Sequence, residues 1–420
     1  MPYSPLLLQL VLILGTARLL SLVLRRLGQP PVIGEMTAGI VLGPVVLGAL
    51  FPQWHAHVFE PSSLPALDGL SQVGLVLFMF IVGAELRFPQ GARPQLVAAG
   101  WISAMSVLVP MAFGIVAAML LYEQFAPDGV GFPTFALFMA SAMSITAFPI
   151  MARILKERGM THSVVGRLSL TSAALADVLA WIMLAIVVVM ADSHEDWGRF
   201  WSMLVGLTVL AVAVLGAGRP LLARMVERFA QDGRPEGPLL AVLLIGTFAC
   251  AYATKVLGVH PVFGAFLFGA ALPRDDRLLA ALIERIEYVA IIVLMPVFFA
   301  LAGLNTTPSA FVGTGLAALL VVLVAAIAGK VLGGAAGARL AGYPWRTAFA
   351  VGSLMNARAL MELIVMKVGL DAGVIGKDLF TMLMVMAILT TFMTGPLLTL
   401  FTDKDGRGVG DAPSFPRDGK

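Results

Sequence analysis

The sequence predicts an all-α polytopic membrane protein, and two observations support this fold class. Of the 420 residues, 59% are hydrophobic and 13% are charged, whereas soluble domains carry roughly 25% charged residues. Apolar stretches of about 20 residues, long enough to cross a bilayer core, recur along the chain. On that length scale the sequence predicts about thirteen transmembrane helices.

The predicted helices are separated by mostly short connections, and the ninth helix is the shortest of them. Their expected ranges are 4–25, 31–50, 67–86, 94–122, 132–156, 163–192, 199–222, 237–257, 259–272, 280–303, 309–341, 345–371 and 377–402.

Lys and Arg are concentrated in alternate connections. They follow the odd-numbered helices, for example Arg25 and Arg26 after the first helix and Lys156 and Arg158 after the fifth. The connections after the second, fourth and tenth helices contain neither residue type. Because basic loops remain in the cytoplasm, this pattern predicts an N-terminus outside the membrane and a cytoplasmic C-terminus.

Thirteen helices divide into six, one linker helix and six. The two groups of six then have opposite orientations, as in transporters built from two inverted repeats. The fifth helix, 132–156, and its counterpart, 345–371, both carry polar residues at mid-length. We therefore predict that both helices are discontinuous, because paired broken helices hold ions near the membrane midplane.

Asp177 lies halfway along the sixth predicted helix, within an apolar stretch. A charged side chain at that depth costs roughly 2.5–3.5 kcal/mol on insertion scales, so such residues are functional candidates. Burial favours the protonated carboxyl, whereas a neighbouring cation favours the carboxylate. We interpret Asp177 as a group that binds either a proton or a metal ion. The alternative is a structural carboxylate paired with a neighbouring helix.

Ser144, Thr146 and Pro149 lie where the fifth helix should be most apolar. A proline frees a backbone carbonyl one turn earlier, and unwound carbonyls coordinate monovalent cations. Hydroxyls in membrane helices also bond to their own backbone, so each residue alone is ambiguous. As a cluster opposite Asp177, these residues predict a cation site.

Lys330 lies in a helix of small residues, AAIAGKVLGGAAG. It either extends to the cytoplasmic face or is a buried ammonium that balances the carboxylate. Asn356, Arg358 and Glu362 lie on the twelfth helix, with Arg358 and Glu362 spaced i, i+4. This spacing predicts an internal ion pair that supports a broken helix rather than binding the ion.

The histidines, the cysteine and the glycine-rich segments show no pattern that indicates a metal site, a disulfide or a nucleotide site. The five histidines lack the spacing of zinc or iron ligands, a single cysteine excludes an intramolecular disulfide, and no phosphate-binding loop is present. Glu35 and Glu85 lie near helix ends and are interpreted as structural or vestibule groups. We expect no cofactor, no ATP, no nucleic-acid partner and no enzymatic activity.

Seven segments together resemble the monovalent cation:proton antiporters, above all the plant and fungal cation/H+ exchangers and their bacterial relatives, with Kef-type transporters more distant. The similarity extends from about residue 6 to residue 400. The segments are QPPVIGEMTAGIVLGP, LFMFIVGAEL, MSITAFPIMARIL, ALADVLAW, HPVFGAFLFGAALP, LMPVFFALAGL and LMNARALMELIVMKVGL.

The resemblance implies a homodimer with the Na+/H+ antiporter fold in a bacterial inner membrane, in which the fifth and twelfth helices cross. It also implies a dimerisation and gate domain and a mobile ion-transport core. The expected ranges are 1–86 and 237–303 for the gate domain, 94–192 and 309–402 for the core, 199–236 for a linker helix and its loop, and 403–420 for a disordered tail.

By resemblance, Asp177 matches the family's essential ion-binding aspartate, Ser144 and Thr146 lie in its unwound segment, and Lys330 and Arg358 match basic residues at the site. The chain departs from the family at the position before the aspartate. Electrogenic relatives have a second aspartate there and other branches have Asn or Gln, but this chain has Ala176. With one carboxylate, the proton-loaded and cation-loaded sites are both neutral, which predicts electroneutral exchange.

The expected function is antiport of H+ against Na+ or K+ by alternating access, with the proton and the cation competing for Asp177. The choice between Na+ and K+ as the transported cation stays open, because oxygen ligands bind both. An alternative on the same fold is a proton-coupled exporter of an organic cation or a specialised metabolite. A sensor or channel-like subunit is disfavoured because the polar residues of the site are retained.

Overall fold

The computed structural model describes residues 5–85, 93–161, 163–192, 197–229, 237–273, 280–281, 285–286, 289–358 and 360–402. These residues form helices joined by turns, and no strand occurs within those ranges. The all-α prediction is confirmed. The predicted tail, 403–420, lies outside the described residues, as do His162 and His194.

The α-helices are numbered here in chain order. They are α1 Leu6–Arg26, α2 Pro31–Leu42, α3 Leu47–Leu50, α4 Pro52–Val58, α5 Leu64–Glu85, α6 Arg93–Phe125, α7 Phe132–Ser144, α8 Phe148–Glu157, α9 Val164–Asp192, α10 Trp197–Val212, α11 Arg219–Phe229, α12 Gly237–Val256, α13 Pro261–Ala270, α14 Met295–Leu304, α15 Thr314–Leu340, α16 Trp345–Met355, α17 Leu360–Asp371 and α18 Lys377–Phe401.

Among the described residues, nine helical segments are long and apolar enough to cross a membrane. They coincide with the first four predicted helices, the sixth to eighth, the eleventh and the thirteenth. The seventh continues from α10 through a π-helical turn, Ala213–Gly218, into α11. Part of the basic connection expected after this helix, up to Phe229, is therefore helical.

The other four predicted helices are shorter or interrupted. The ninth and tenth correspond to α13 and to a π-helical turn followed by α14. The fifth consists of the half-helices α7 and α8, and the twelfth of α16 and α17. Both predicted interruptions are confirmed, whereas the total of about thirteen stays a prediction.

The chain divides into two compact units. In the first unit, α5 and α13 pack closely because glycines on both helices face the backbone of the other. Gly83 lies against the Phe266 carbonyl, and Gly269 lies against the Phe80 carbonyl. Gate and dimerisation roles stay predictions. This unit comprises Met1–Leu19, Ala38–Arg87 and Ala185–Asn305.

In the second unit, α15 packs along α6, α16 and α18, and α6 also packs against α7. Three glycines of α15, spaced four residues apart, face α6: Gly329, Gly333 and Gly337. A Cβ atom on Gly337 would lie 2.5 Å from Ile102 Cα, so only small residues allow the two backbones to approach this closely. This unit comprises Leu20–Thr37, Phe88–Leu184 and Thr306–Lys420, and it contains every predicted site residue.

Candidate functional site

The centre of the second unit is formed by the two interrupted helices. α7 ends at Ser144 and α8 begins at Phe148, with extended backbone between them. α16 ends at Met355 and α17 begins at Leu360. Pro149 lies in the first turn of α8, where a helix needs no N–H donor. Pro149 therefore helps to start the second half-helix, and the expectation that it frees a carbonyl one turn earlier stays a prediction.

The two interruptions are bonded to each other through their backbones. The N–H of Ala147 donates to the carbonyl oxygen of Ala357 at 2.9 Å. The Thr146 hydroxyl lies 3.4 Å from the Met355 carbonyl and donates to it. Non-helical backbone at membrane depth must find partners within the protein, and each broken helix supplies partners for the other.

The last four carbonyl groups of a helix have no partner within that helix, and in α7 these belong to residues 141–144. All four accept hydrogen bonds. The first accepts from the Ser144 hydroxyl at 2.8 Å, and the last accepts from the Lys330 ammonium. The two between them accept from the Arg358 guanidinium at 3.0 and 2.7 Å. Two cationic side chains thus lie at the end of α7 where the helix dipole is negative.

Lys330 is fully buried and does not extend to the cytoplasmic face. Besides the Ser144 carbonyl, its Nζ donates to the Thr146 hydroxyl at 2.7 Å and to the Ser106 carbonyl at 3.0 Å. An ammonium has three N–H donors, so these three oxygens satisfy it completely.

The second interruption contains a buried ion pair. Arg358 Nη1 and Glu362 Oε1 lie 3.0 Å apart, and both side chains are fully buried. This is the pair that the i, i+4 spacing predicts. α18 supports the same segment, because the Arg358 N–H donates to the Thr391 hydroxyl at 3.1 Å and the Asn356 amide donates to the Thr390 carbonyl at 3.1 Å.

Asp177 projects from α9 to the start of the second half-helix, α8. The backbone N–H of Phe148 donates to its carboxyl, and Lys330 acts on it electrostatically. Its side chain is 6% exposed. The N-terminal end of a helix carries partial positive charge, so the half-helix ends are matched by charge, with cations at the end of α7 and a carboxyl at the start of α8.

Among the described residues, the buried atoms without a hydrogen-bond partner include three oxygens, Asp177 Oδ1, Asn356 Oδ1 and Glu362 Oε2, and one donor, Arg358 Nε. Buried polar atoms without partners are energetically costly. The three oxygens can accept, so they suit a proton, a small cation or water.

Sequence reasoning identified the polar side chains but missed part of their surroundings. Ser144 contributes its backbone carbonyl to Lys330, whereas its hydroxyl bonds within α7. Thr390 and Thr391 were missed, although two adjacent hydroxyl residues in the middle of a membrane helix could have indicated them. Ser106 was also missed, because it contributes only a backbone oxygen.

Within the described ranges, no group of three or more His, Cys, Asp or Glu is placed to hold a metal ion.

Comparison with known proteins supplies the context for this site. The family model described as sodium/hydrogen exchanger, transmembrane, matches residues 10–404. The chain is 39% identical over 391 residues to the Na(+)/H(+) antiporter NhaS4 of Synechocystis, with 93% of this chain and 95% of that protein covered. It is 32% identical over 424 residues to the K(+)/H(+) antiporter 1 of Saccharomyces cerevisiae, with 99% of this chain covered. The chain spans about half of the yeast protein, 48% of its length.

The fold is similar to that of the sodium proton antiporter MjNhaP1 from Methanocaldococcus jannaschii. The TM-score is 0.69 at 14% sequence identity, and the match covers 94% of this chain and 99% of that chain. At that identity the similarity concerns the fold alone, and it confirms the expected fold class.

Proposed function

Because this chain belongs to the sodium/hydrogen exchanger family, we propose that it is an antiporter that exchanges H+ for Na+ or K+ by alternating access. The chain is an integral membrane protein, and its family is one of transporters rather than enzymes. The names of the cyanobacterial and yeast relatives, a Na+/H+ and a K+/H+ antiporter, support exchange of a monovalent cation for protons.

The observation that carries the proposal is the environment of the Asp177 carboxyl. It receives a hydrogen bond from the start of α8, and its Oδ1 has no partner in the part of the chain that the structure describes. An oxygen in this position takes up either a proton or a cation, since a proton removes the negative charge that attracts the cation. We propose that Thr146 and the Ser144 segment contribute further oxygens when the cation binds.

Competition at one carboxyl gives a stoichiometry of one to one. A proton and a monovalent cation add the same charge to the site, so the two loaded forms are electrostatically equivalent as long as Lys330 keeps its proton. Exchange of one for the other then moves no net charge across the membrane.

Coupling of the two fluxes follows from the cost of an empty site. An ionised carboxylate without a bound cation is expensive in the apolar part of the membrane. A site that holds a proton or a cation avoids this cost. We propose that only such a loaded site switches its access from one side of the membrane to the other.

We further propose a homodimer with its N-terminus outside and its C-terminus in the cytoplasm of a bacterial inner membrane. The alternating distribution of Lys and Arg supports this orientation, and the resemblance to cation:proton antiporters supports the dimer.

The test uses purified protein in liposomes that contain a pH-sensitive dye. We expect wild type to release an imposed proton gradient when Na+ or K+ is added, and a scan that includes Li+ and Rb+ to rank the cations. Asp177→Asn should reduce exchange to the level of protein-free liposomes while its elution volume and helical content stay unchanged. Asp371→Asn, which alters a side chain that is 45% exposed on α17, is the control and should retain exchange. Exchange in Asp177→Asn with a wild-type pH profile would contradict the proposed role of Asp177.

A further inference from the structure

Pro110 lies inside α6, with helical backbone on both sides. In an α-helix, the N–H of residue 110 would donate to the carbonyl of residue 106. Proline has no N–H, and its ring also crowds the carbonyl four residues earlier. The Ser106 carbonyl is therefore without its helical donor.

The freed carbonyl accepts a hydrogen bond from Lys330. Lys330 Nζ lies 3.0 Å from the Ser106 carbonyl oxygen. The Ser106 hydroxyl is engaged elsewhere, with the Ser103 carbonyl at 3.1 Å. Gly329, the residue before Lys330, lies against Pro110, and a Cβ atom there would be 2.9 Å from Pro110 Cα. The close approach of α15 to α6 therefore occurs where the carbonyl is free.

The three acceptors of Lys330 differ in their location. The Ser144 carbonyl and the Thr146 hydroxyl belong to the interrupted helix, where the transported cation is proposed to bind. The Ser106 carbonyl belongs to the continuous helix α6. It therefore lies outside the segment in which the cation is proposed to bind.

We infer that Pro110 is a positioning residue of the exchanger, because it creates the anchor that holds Lys330 while Thr146 changes partner from the ammonium to the cation. This inference rests on the proposed exchange function. Without the anchor, the ammonium has only the oxygens of the interrupted helix, and it competes more strongly with the cation for them.

The decisive variant is Pro110→Ala, which restores a backbone N–H that captures the Ser106 carbonyl within α6. Pro396→Ala is a matched control, because Pro396 also lies inside a helix, α18, and the carbonyl four residues earlier, that of Phe392, accepts a hydrogen bond from Gln29 Nε2 at 3.4 Å. Both changes return one carbonyl to its helix, but only the first takes an acceptor from Lys330.

We expect Pro110→Ala to raise the apparent KM for Na+ or K+ about tenfold, the effect of losing one hydrogen bond to a charged group, with kcat changed less than about twofold. Pro396→Ala should leave KM unchanged. In a Lys330→Met background, Pro110→Ala should have no further effect on cation affinity, because the group that it positions is gone.

Cation affinity is also measured without transport, from the rise in melting temperature of detergent-solubilised protein on titration with NaCl or KCl. If wild type binds the cation but does not exchange it for protons, the proposed function fails while this comparison still tests Pro110.

An unchanged cation affinity in folded Pro110→Ala would overturn the inference. So would a Pro110→Ala change that lowers cation affinity equally in wild type and in the Lys330→Met variant. Pro110→Gly supplies the same N–H on a flexible backbone. If it and Pro110→Ala both fail to fold while Pro396→Ala folds, Pro110 serves folding and the inference is again overturned.

Discussion

The N–H of Ala147 donates to the carbonyl oxygen of Ala357 at 2.9 Å and joins the two interrupted helices directly. Neither residue has a polar side chain, so this bond is made by backbone groups. Side chains add to the junction, because the Thr146 hydroxyl donates to the Met355 carbonyl and the Arg358 guanidinium donates to the carbonyls of Ala142 and Met143.

Exchange by one carboxyl should be electroneutral. On a solid-supported membrane, a jump in Na+ or K+ concentration should produce no more current than protein-free liposomes do, because in the proposed mechanism both loaded forms of the Asp177 site carry the same charge. Dye-monitored exchange should proceed at the same rate with and without a valinomycin clamp of the membrane potential. A potential is worth about 2.3 kcal/mol per charge per 100 mV, so a current that disappears in Asp177→Asn would contradict one-to-one stoichiometry.

Arg358 should contribute more to stability than its ion-pair partner. Arg358→Met leaves two α7 carbonyls and the Glu362 carboxyl without donors, and breaking a buried pair in this way costs about 3–5 kcal/mol. Glu362→Gln should cost less, because the guanidinium keeps its carbonyl acceptors. Thermal unfolding in detergent measures both.

The matched control for Arg358→Met lies on the same helix. Lys367 and Asp371 of α17 form a second i, i+4 ion pair, but their side chains are 17% and 45% exposed. Lys367→Met should therefore cost less than about 1 kcal/mol. Equal losses of stability at Arg358 and Lys367 would show that burial of the Arg358 pair does not matter.

The contact between α6 and α15 should tolerate no additional side-chain atom at Gly337. A Cβ atom there would meet Ile102 Cα at 2.5 Å, and backbone atoms cannot move aside without shifting a helix. We expect Gly337→Ala to destabilise the protein by about 1–3 kcal/mol, measured as a lower melting temperature. Gly100→Ala, on α6, meets no atom within 4 Å and should leave the melting temperature unchanged or raise it.

Acidification should weaken the first unit through His55 on α4. Burial lowers the pKa of His55, so the folded state favours the neutral ring. The unfolded chain takes up a proton near the ordinary pKa of about 6.5, and stability is therefore full above that pH and lost as the pH falls below it. A change from about pH 7.5 to about pH 5.5 should lower the melting temperature of wild type more than that of His55→Gln. His57→Gln, at an exposed position of the same helix, should behave like wild type.

The interruption of both helices could be predicted from sequence, because Thr146 and Asn356 are polar residues at the depth where a membrane helix is most apolar. The buried Arg358 and Glu362 pair could be predicted as well, since i, i+4 spacing places two side chains on one helical face. Both predictions depend on side-chain chemistry within a single helix.

The partners of Lys330 could not be predicted in the same way. Two of them are backbone oxygens, those of Ser106 and Ser144, and every residue type has a carbonyl. Proline was the correct residue type to examine, but Pro149 starts a helix whereas Pro110 lies inside one. The difference depends on helix boundaries, which are uncertain by one or two residues even when coordinates are known.

The four terminal carbonyls of α7 are all occupied by donors from the chain itself. The end of this half-helix therefore needs no dissolved cation to complete its hydrogen bonds. A carrier whose cargo also held its backbone together would lose part of its structure each time it unloaded. In this protein, the donors that complete the end of α7 are the Ser144 hydroxyl and the side chains of Lys330 and Arg358, so this end of the helix keeps its hydrogen bonds in the absence of a cation.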